Sequence, residues 1–210
     1  LPLGEYDMAR LAYEIERIDL GMAGGKQDQY AATFGGFNYM QFLQDDKVIV
    51  NPLRIRQRYQ DELAHNLLLY YTETSHVSAK IIEGQIRNVK ANNTSSIEAM
   101  HRLKEQAVQM KEALLQGNID GIGEILNFGW EQKKKTAHDI SNPLLENIYG
   151  TAIAAGATGG KVSGAGGGGF MFFYCPCTSR YNVEKALQAK FAGQVKRYEF
   201  TQEGLRTWTL

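Results

Sequence analysis

Between Lys161 and Tyr174 the chain reads Lys-Val-Ser-Gly-Ala-Gly-Gly-Gly-Gly-Phe-Met-Phe-Phe-Tyr, and five of the six residues from Gly164 to Gly169 are glycine. Ordering glycine costs more backbone entropy than ordering any other residue. A packed domain therefore keeps such a run where the backbone must take positive φ or approach another group closely. Successive free N–H groups in such a turn can form a concavity that binds an anion. A flexible linker would be bordered by Ser, Gly and charge, whereas this run leads straight into Phe-Met-Phe-Phe-Tyr, so it reads as a site-forming loop. It is not a P-loop, which needs G-x-x-x-x-G-K-[ST]. It is not a dinucleotide fingerprint either, because that needs a strand before the glycines and a helix after them. Two acids stand out nearer the start. Asp28 follows a glycine pair in Gly24-Gly25-Lys26-Gln27-Asp28-Gln29, and Glu16 precedes it by twelve positions (28 − 16). Taken singly, each reads as an ordinary helix carboxylate.

The spacing of apolar residues predicts a helix over 5–19, with Met8, Leu11, Ala12, Ile15 and Ile18 on its buried face and Glu16 off that stripe. Residues 21–25 break it. A short helix beginning within 26–32 places Asp28 near a positive N-terminal end, which favours the carboxylate. Segments 34–43 and 47–50 form a hairpin candidate ended by Pro52. A second domain follows, with a buried strand at 66–72 and four helices. These are 78–89, one entered by a capping box at Ser95-Ser96-Ile97-Glu98, 119–136, and one started by Asn142-Pro143. Strands at 161–163 and 170–174 flank the glycines, and a helix at 182–192 and a strand at 195–200 close the chain. Lys+Arg 23 balances Asp+Glu 23, so no global basic field recruits nucleic acid or anionic lipid. No stretch nears the ~20 apolar residues of a membrane span. Cys175 and Cys177 are too close for an ordinary disulfide, and reduced thiols are expected. His65, His76, His101 and His138 lack metal spacing.

Gly164-Ala165-Gly166-Gly167-Gly168-Gly169 resembles the third motif of the GHMP kinases, the superfamily of galactokinase, homoserine kinase and mevalonate kinase. Gly25-Lys26-Gln27-Asp28-Gln29 is similar to the Gly-x-x-Asp-Gln of galactokinases, which also carry a glutamate twelve positions earlier, where Glu16 stands here. Trp130-Glu131-Gln132-Lys133-Lys134-Lys135 and the segment 154–161 extend the likeness to essentially the whole chain. They bring it nearest to the sugar 1-kinases acting on a heptose phosphate.

The resemblance implies an α+β fold. Residues 1–60 would be the end of an N-terminal α/β domain, and 61–210 a ferredoxin-like α+β C-terminal domain. It also implies a cytoplasmic kinase that uses ATP and Mg2+ on a sugar phosphate, without nucleic-acid or membrane partners. Asp28 would be the catalytic base, with Gly25 and Gln27 beside it on the substrate, and Glu16 would hold the metal. Ser163, Gly164, Ala165, Gly166, Gly167 and Gly168 would serve the nucleotide and phosphate side. Fucose and galactose are alternative acceptors, and a non-catalytic binding module is a further alternative. The lysine run 133–135 could meet the substrate's own phosphate, but three consecutive lysines cannot share one helix face and read better as solvated charge. Thr72-Glu73-Thr74-Ser75 falls where relatives have a Thr-Gly-x-Ser/Thr turn, with Glu73 in the glycine's place. The family's opening strands and its Pro-x-x-x-Gly-Leu-Gly-Ser-Ser loop have no counterpart here. The likeness is therefore to the later two-thirds of such a kinase, and the chain alone is expected to be inactive.

Overall fold

The computed structural model describes residues 3–74, 78–206 and 208. The chain divides into two compact units, one of Leu1–Ile55 with Glu199–Leu210 and one of Arg56–Tyr198. Among the described residues no helix is long and apolar enough to cross a membrane.

In the first unit, α1 (Glu5–Tyr13) continues as a π-helical stretch, Glu14–Asp19, followed by α2 (Gln27–Phe34). The hairpin of β1 (Asn38–Phe42) and β2 (Val48–Pro52) is antiparallel, with Met40 opposite Val50. Ala9, Tyr30 and Val50 are buried together, and Phe34, Met40 and Val48 pack against them. The Tyr6 ring stands edge-on to Phe34 at 5.0 Å, and its hydroxyl accepts the Val50 N–H at 2.9 Å. The chain's last residues return here: Gly36 donates to the Thr201 carbonyl and Leu205 to the Thr33 carbonyl.

One expectation fails in α1. Leu11, Ile15 and Ile18 are 46%, 44% and 66% exposed, so the apolar stripe does not face this unit's core. Leu11 lies on α1 itself, but for Ile15 and Ile18 the cause is the π-helical stretch, in which Leu20 N–H bonds back to Ile15. An i→i+5 bond adds a residue to the turn and rotates Ile15 and Ile18 off the face that Ala9 begins.

In the second unit, α3 (Gln57–Asn66) runs directly into β3 (Leu67–Tyr71), and α4 (Ser78–Lys90), α5 (Thr94–Gln116), α6 (Ile122–Lys134) and α7 (Pro143–Ala154) follow. β4 (Gly159–Val162), β5 (Phe170–Tyr174), α8 (Ser179–Lys190) and β6 (Gln194–Lys196) complete it. The sheet has the order β4-β5-β3-β6 and every neighbouring pair is antiparallel. Alternation sends Leu68, Tyr70, Val162, Met171 and Phe173 to one face. There they meet Trp130 of α6, Leu145 and Ile148 of α7, and Val183 and Leu187 of α8. Burying each such side chain contributes about 1.5–3 kcal/mol, so this core fixes the strand ends that carry the glycine turn. Asn142 caps α7, its side chain accepting the Leu145 N–H at 3.0 Å with Pro143 behind it, as the sequence predicts. The capping box at Ser95 does not form. Asn93 caps α5 instead, accepting the Ser96 N–H at 3.0 Å, while the Ser96 hydroxyl is buried and donates to the Thr136 carbonyl.

Candidate functional site

In the first unit the π-helical stretch turns Glu16 toward α2. Glu16 Oε2 accepts from Gln29 Nε2 at 2.7 Å and lies 3.3 Å from an Arg17 Nη atom. Arg17 in turn donates to the carbonyl of Gly25 at 3.2 Å and lies 3.5 Å from that of Ala23. The loop before α2 is thereby wrapped around a guanidinium, and a side chain at Gly24 would overlap it. Asp28 is the second residue of α2 and is exposed, as is Gln27. Glu16 and the first turn of α2 are thus brought together, with Asp28 adjoining them in the chain.

Gln29 is the residue that sequence reasoning missed. It is only 5% exposed, its amide nitrogen fixes Glu16, and its Oε1 has no partner among the described residues. A buried polar atom left unpaired costs about 1–3 kcal/mol, which marks this side chain as more than packing. Nothing in the sequence set it apart from Gln27; in the fold the Thr33 hydroxyl bonds the Gln29 carbonyl at 2.8 Å. Glu16 Oε1 accepts no hydrogen bond from the described residues, and among those residues no group of three acids, histidines or cysteines could hold a metal. One open hard oxygen still fits Mg2+, which is usually held by one or two carboxylates together with substrate phosphates and water.

In the second unit the glycine turn joins β4 to β5 and is tied down along its length. Ser163 N–H donates to Phe170 at 2.7 Å, Gly167 N–H to Ile140 at 2.8 Å and Gly169 N–H to Thr74 at 2.7 Å. Asn142 Nδ2 reaches the Gly167 carbonyl at 3.2 Å, and both the N–H and the hydroxyl of Thr72 donate to the Gly169 carbonyl at 2.9 Å. The run is no linker. The N–H groups of Gly164, Ala165 and Gly168 donate no hydrogen bond among the described residues. Beside them opens a cavity of about 250 Å3 lined by Ser78, Ser163, Gly164, Ala165, Gly166 and Gly168 among others. That volume is below the ~300–1,000 Å3 of ordinary ligand pockets and suits a phosphoryl group rather than a whole nucleotide.

The turn after β3 faces these glycines. Glu73 adopts φ +57°, the left-handed conformation a glycine would take, at about 1–2 kcal/mol of strain. Hydrogen bonds hold it there: Gln194 Nε2 donates to Glu73 Oε1 at 3.0 Å, and the Thr72 and Thr74 hydroxyls are 2.9 Å apart. Ser75 and His76 lie outside the described residues.

The lysine run is not uniformly solvated, which corrects the expectation for one of the three. Lys134 pairs with Glu131 at 2.8 Å and Glu146 at 3.3 Å, and Lys135 donates to Gln132 at 3.2 Å. Lys133 is half-buried and donates to the Gly164 carbonyl. Burial, and then the charge of Lys161, push its ammonium down to about 8; burial also lowers Lys161. An unfolded lysine keeps its proton to about 10.5. Between about 8 and 10.5 the unfolded chain therefore binds more protons, and Lys133 makes stability rise with pH. The buried Cys175 thiol, pushed up to about 12, works the other way above about pH 9. A difference measurement isolates the lysine. Urea midpoints of the parent and Lys133→Met should diverge most below about pH 8, with the methionine variant favoured, and the gap should shrink as pH rises and close only above about pH 10.5. A gap that does not change with pH would contradict the burial of this charge.

Residues 110–193 match the family described as GHMP kinases C terminal. Over that segment the chain is similar to the C-terminal domain of GHMP kinases. Beyond that domain, all 210 residues align at 50% identity with the D-glycero-alpha-D-manno-heptose 7-phosphate kinase of Campylobacter jejuni, covering 100% of this chain and 61% of that protein. A D-glycero-D-manno-heptose 1-phosphate kinase from Bacteroides thetaiotaomicron matches with a TM-score of 0.72 and 42% identity, over 100% of this chain and 57% of that one. Galactokinase from Lactococcus lactis, complexed with galactose, has a TM-score of 0.69 at 17% identity, over 97% and 61% of the two chains, and shows a shared fold. The α+β architecture agrees with these likenesses, and the chain spans 57–61% of the relatives' length.

Proposed function

We propose that this chain carries the acceptor-facing acid and the glycine turn of a kinase that moves the γ-phosphate of ATP to the anomeric hydroxyl of a heptose 7-phosphate. The observation that carries this reading is the 50% identity to the Campylobacter jejuni enzyme along the whole chain. Phosphoryl transfer has a loose transition state, so the protein's work is positioning and charge stabilisation. Asp28, exposed at the start of α2, accepts the hydrogen bond of the sugar's anomeric hydroxyl and takes its proton as the new P–O bond forms. Gln27 and the Gly25 backbone contact the sugar. Ser163 and the free N–H groups of Gly164, Ala165 and Gly168 donate to phosphoryl oxygens, while Gly166 and Gly167 hold that backbone in place. Glu16, fixed by Gln29, would hold Mg2+ through its open Oε1. The bound metal ion would neutralise charge on the nucleotide phosphates.

The test, run on the full-length protein that carries this chain, is a panel of acceptors with MgATP, namely heptose 7-phosphate, the unphosphorylated heptose, L-fucose and galactose, with the sugar 1-phosphate followed by phosphorus NMR. The expected kcat/KM for heptose 7-phosphate exceeds the others by at least ~10²-fold, the discrimination a site built around a buried polar group can reach. Faster turnover of fucose or galactose would reassign the sugar, and no turnover of any acceptor would leave a binding module. A second expectation concerns the metal. Glu16→Gln should raise the Mg2+ concentration for half-maximal rate several-fold, because one hard carboxylate is lost. Gln29→Leu should raise it less, since the carboxylate remains but is no longer oriented. Magnesium titrations that superpose for all three proteins would reduce Glu16 to an ordinary helix acid.

A further inference from the structure

Arg17 joins three parts of the first unit. Its side chain is only 12% exposed, and three of its nitrogens serve three different acceptors. Nε donates to the Gly25 carbonyl at 3.2 Å, Nη1 reaches the Ala23 carbonyl at 3.5 Å, and Nη2 lies 3.3 Å from Glu16 Oε2. The same Oε2 accepts from Gln29 Nε2 at 2.7 Å. The loop 23–25, the π-helical stretch and the start of α2 therefore meet at one guanidinium and one carboxylate. Gly24 lies against the guanidinium with no room for a Cβ, whereas a Cβ at Gly25 would meet nothing within 4 Å. Successive side chains of a regular helix point about 100° apart. In the widened turn Glu16 and Arg17 reach the same segment, while Ile15 and Ile18 are left exposed.

Stability alone gives little reason for this arrangement. The Glu16 side chain is 42% exposed, and an ion pair so open to water contributes little. What a planar guanidinium supplies is direction: its donors point along fixed lines, which the single ammonium of a lysine cannot reproduce. Asp28 lies between the two fixed points. The Gly25 carbonyl precedes it by three residues (28 − 25), and Gln29 follows it directly. Because the Asp28 side chain is exposed, its direction comes from the backbone that carries it. We infer that Arg17 is a positioning residue that sets the first turn of α2, and with it the Asp28 carboxylate, relative to Glu16. That Asp28 takes a proton from an acceptor rests on the kinase reading above.

The full-length protein that carries this chain is compared with Arg17→Lys, Arg17→Met and Gly24→Ala. Arg10→Met is the control, since Arg10 forms an exposed pair with Glu14 one turn away. Amide exchange, followed by NMR, needs no ligand. The N–H groups of Met22 and Tyr30, bonded to the Glu16 and Lys26 carbonyls, flank the loop. Both should exchange at least about tenfold faster in Arg17→Met and Gly24→Ala, while Leu53 N–H, bonded to the Phe37 carbonyl, keeps its rate. Kinetics form the second arm. Arg17→Met should lower kcat ~10–10²-fold, since a shift of about 1 Å near a reacting group can cost that much. KM for ATP should stay within about twofold, Arg17→Lys should fail to restore kcat, and Arg10→Met should match the parent. In the Asp28→Asn background, Arg17→Met should cost less than about twofold more, because the placing of a base no longer matters once the base is gone. A merely structural arginine would give the same penalty in both backgrounds. That outcome, or unchanged exchange at Met22 and Tyr30, would overturn the positioning role even in an active sugar kinase. A parent that phosphorylates no acceptor would sink the kinase reading alone, and the exchange rates would then decide whether Arg17 sets α2.

Discussion

Asp28→Asn in the full-length protein is expected to cut turnover by at least ~10²-fold while nucleotide affinity stays within about twofold. General-base assistance of this kind is worth ~10²–10⁴-fold, and it is realised mainly in the transition state. The substitution isolates the chemistry well, because Asp28 is exposed and losing a first-turn charge costs the helix no more than about 1 kcal/mol. The asparagine keeps the size, can still accept a hydrogen bond and sits equally well in the first turn of α2. A loss that small leaves the protein folded, so it does not mimic loss of the base. Single-turnover rates with saturating MgATP give the chemical step, and calorimetry gives nucleotide affinity. Turnover within threefold of the parent would remove Asp28 from the mechanism and leave it as a first-turn helix acid.

Much of the framework was legible because it rests on local rules. Asn142-Pro143 starts α7 through a cap and a fixed φ, and the apolar run at 67–71 becomes a strand because alternation buries Leu68 and Tyr70. The glycine run was read as a site-forming loop and not a linker from its apolar border, and its hydrogen bonds to Ile140 and Thr74 show an ordered turn where a linker would be free. What could not be read depends on long-range or non-standard geometry. The π-helical stretch after Tyr13 reverses the exposure of Ile15 and Ile18, and a 3.6-residue period has no way to register it. Gln29 looked like one of two flanking glutamines, and only the folded α2 shows it buried against Glu16. Lys133 was indistinguishable from Lys134 and Lys135 until α6 was laid beside β4, where one lysine reaches the glycine turn and its neighbours reach carboxylates.

Gly166→Val should abolish the ordered turn, with a melting temperature roughly 10 °C lower and phosphoryl transfer lost. Gly166 is buried at φ +129°, where a β-branched residue has no allowed conformation. Even a Cβ there would come 2.9 Å from the Ile140 carbonyl oxygen and 3.0 Å from Ile140 Cα. Valine adds two methyl groups to that clash. The backbone strain costs about 1–3 kcal/mol and the overpacking a further 1–3 kcal/mol. The shift also loosens the 2.8 Å bond from Gly167 N–H to the same carbonyl, worth about 1 kcal/mol. A total near 5 kcal/mol is a large part of the ~5–15 kcal/mol that keeps a domain folded, and each kcal/mol moves the midpoint by about 2–4 °C at this size. Gly164 provides the contrast within the same turn. It is also at positive φ, +72°, but a Cβ there meets nothing within 4 Å, so Gly164→Asn should cost no more than about 1 kcal/mol. Both variants are to be melted and assayed side by side. If Gly166→Val melts and turns over like the parent, close packing against Ile140 does not hold the turn. If Gly164→Asn is as damaging to stability as Gly166→Val, backbone conformation rather than close approach is what the glycines supply.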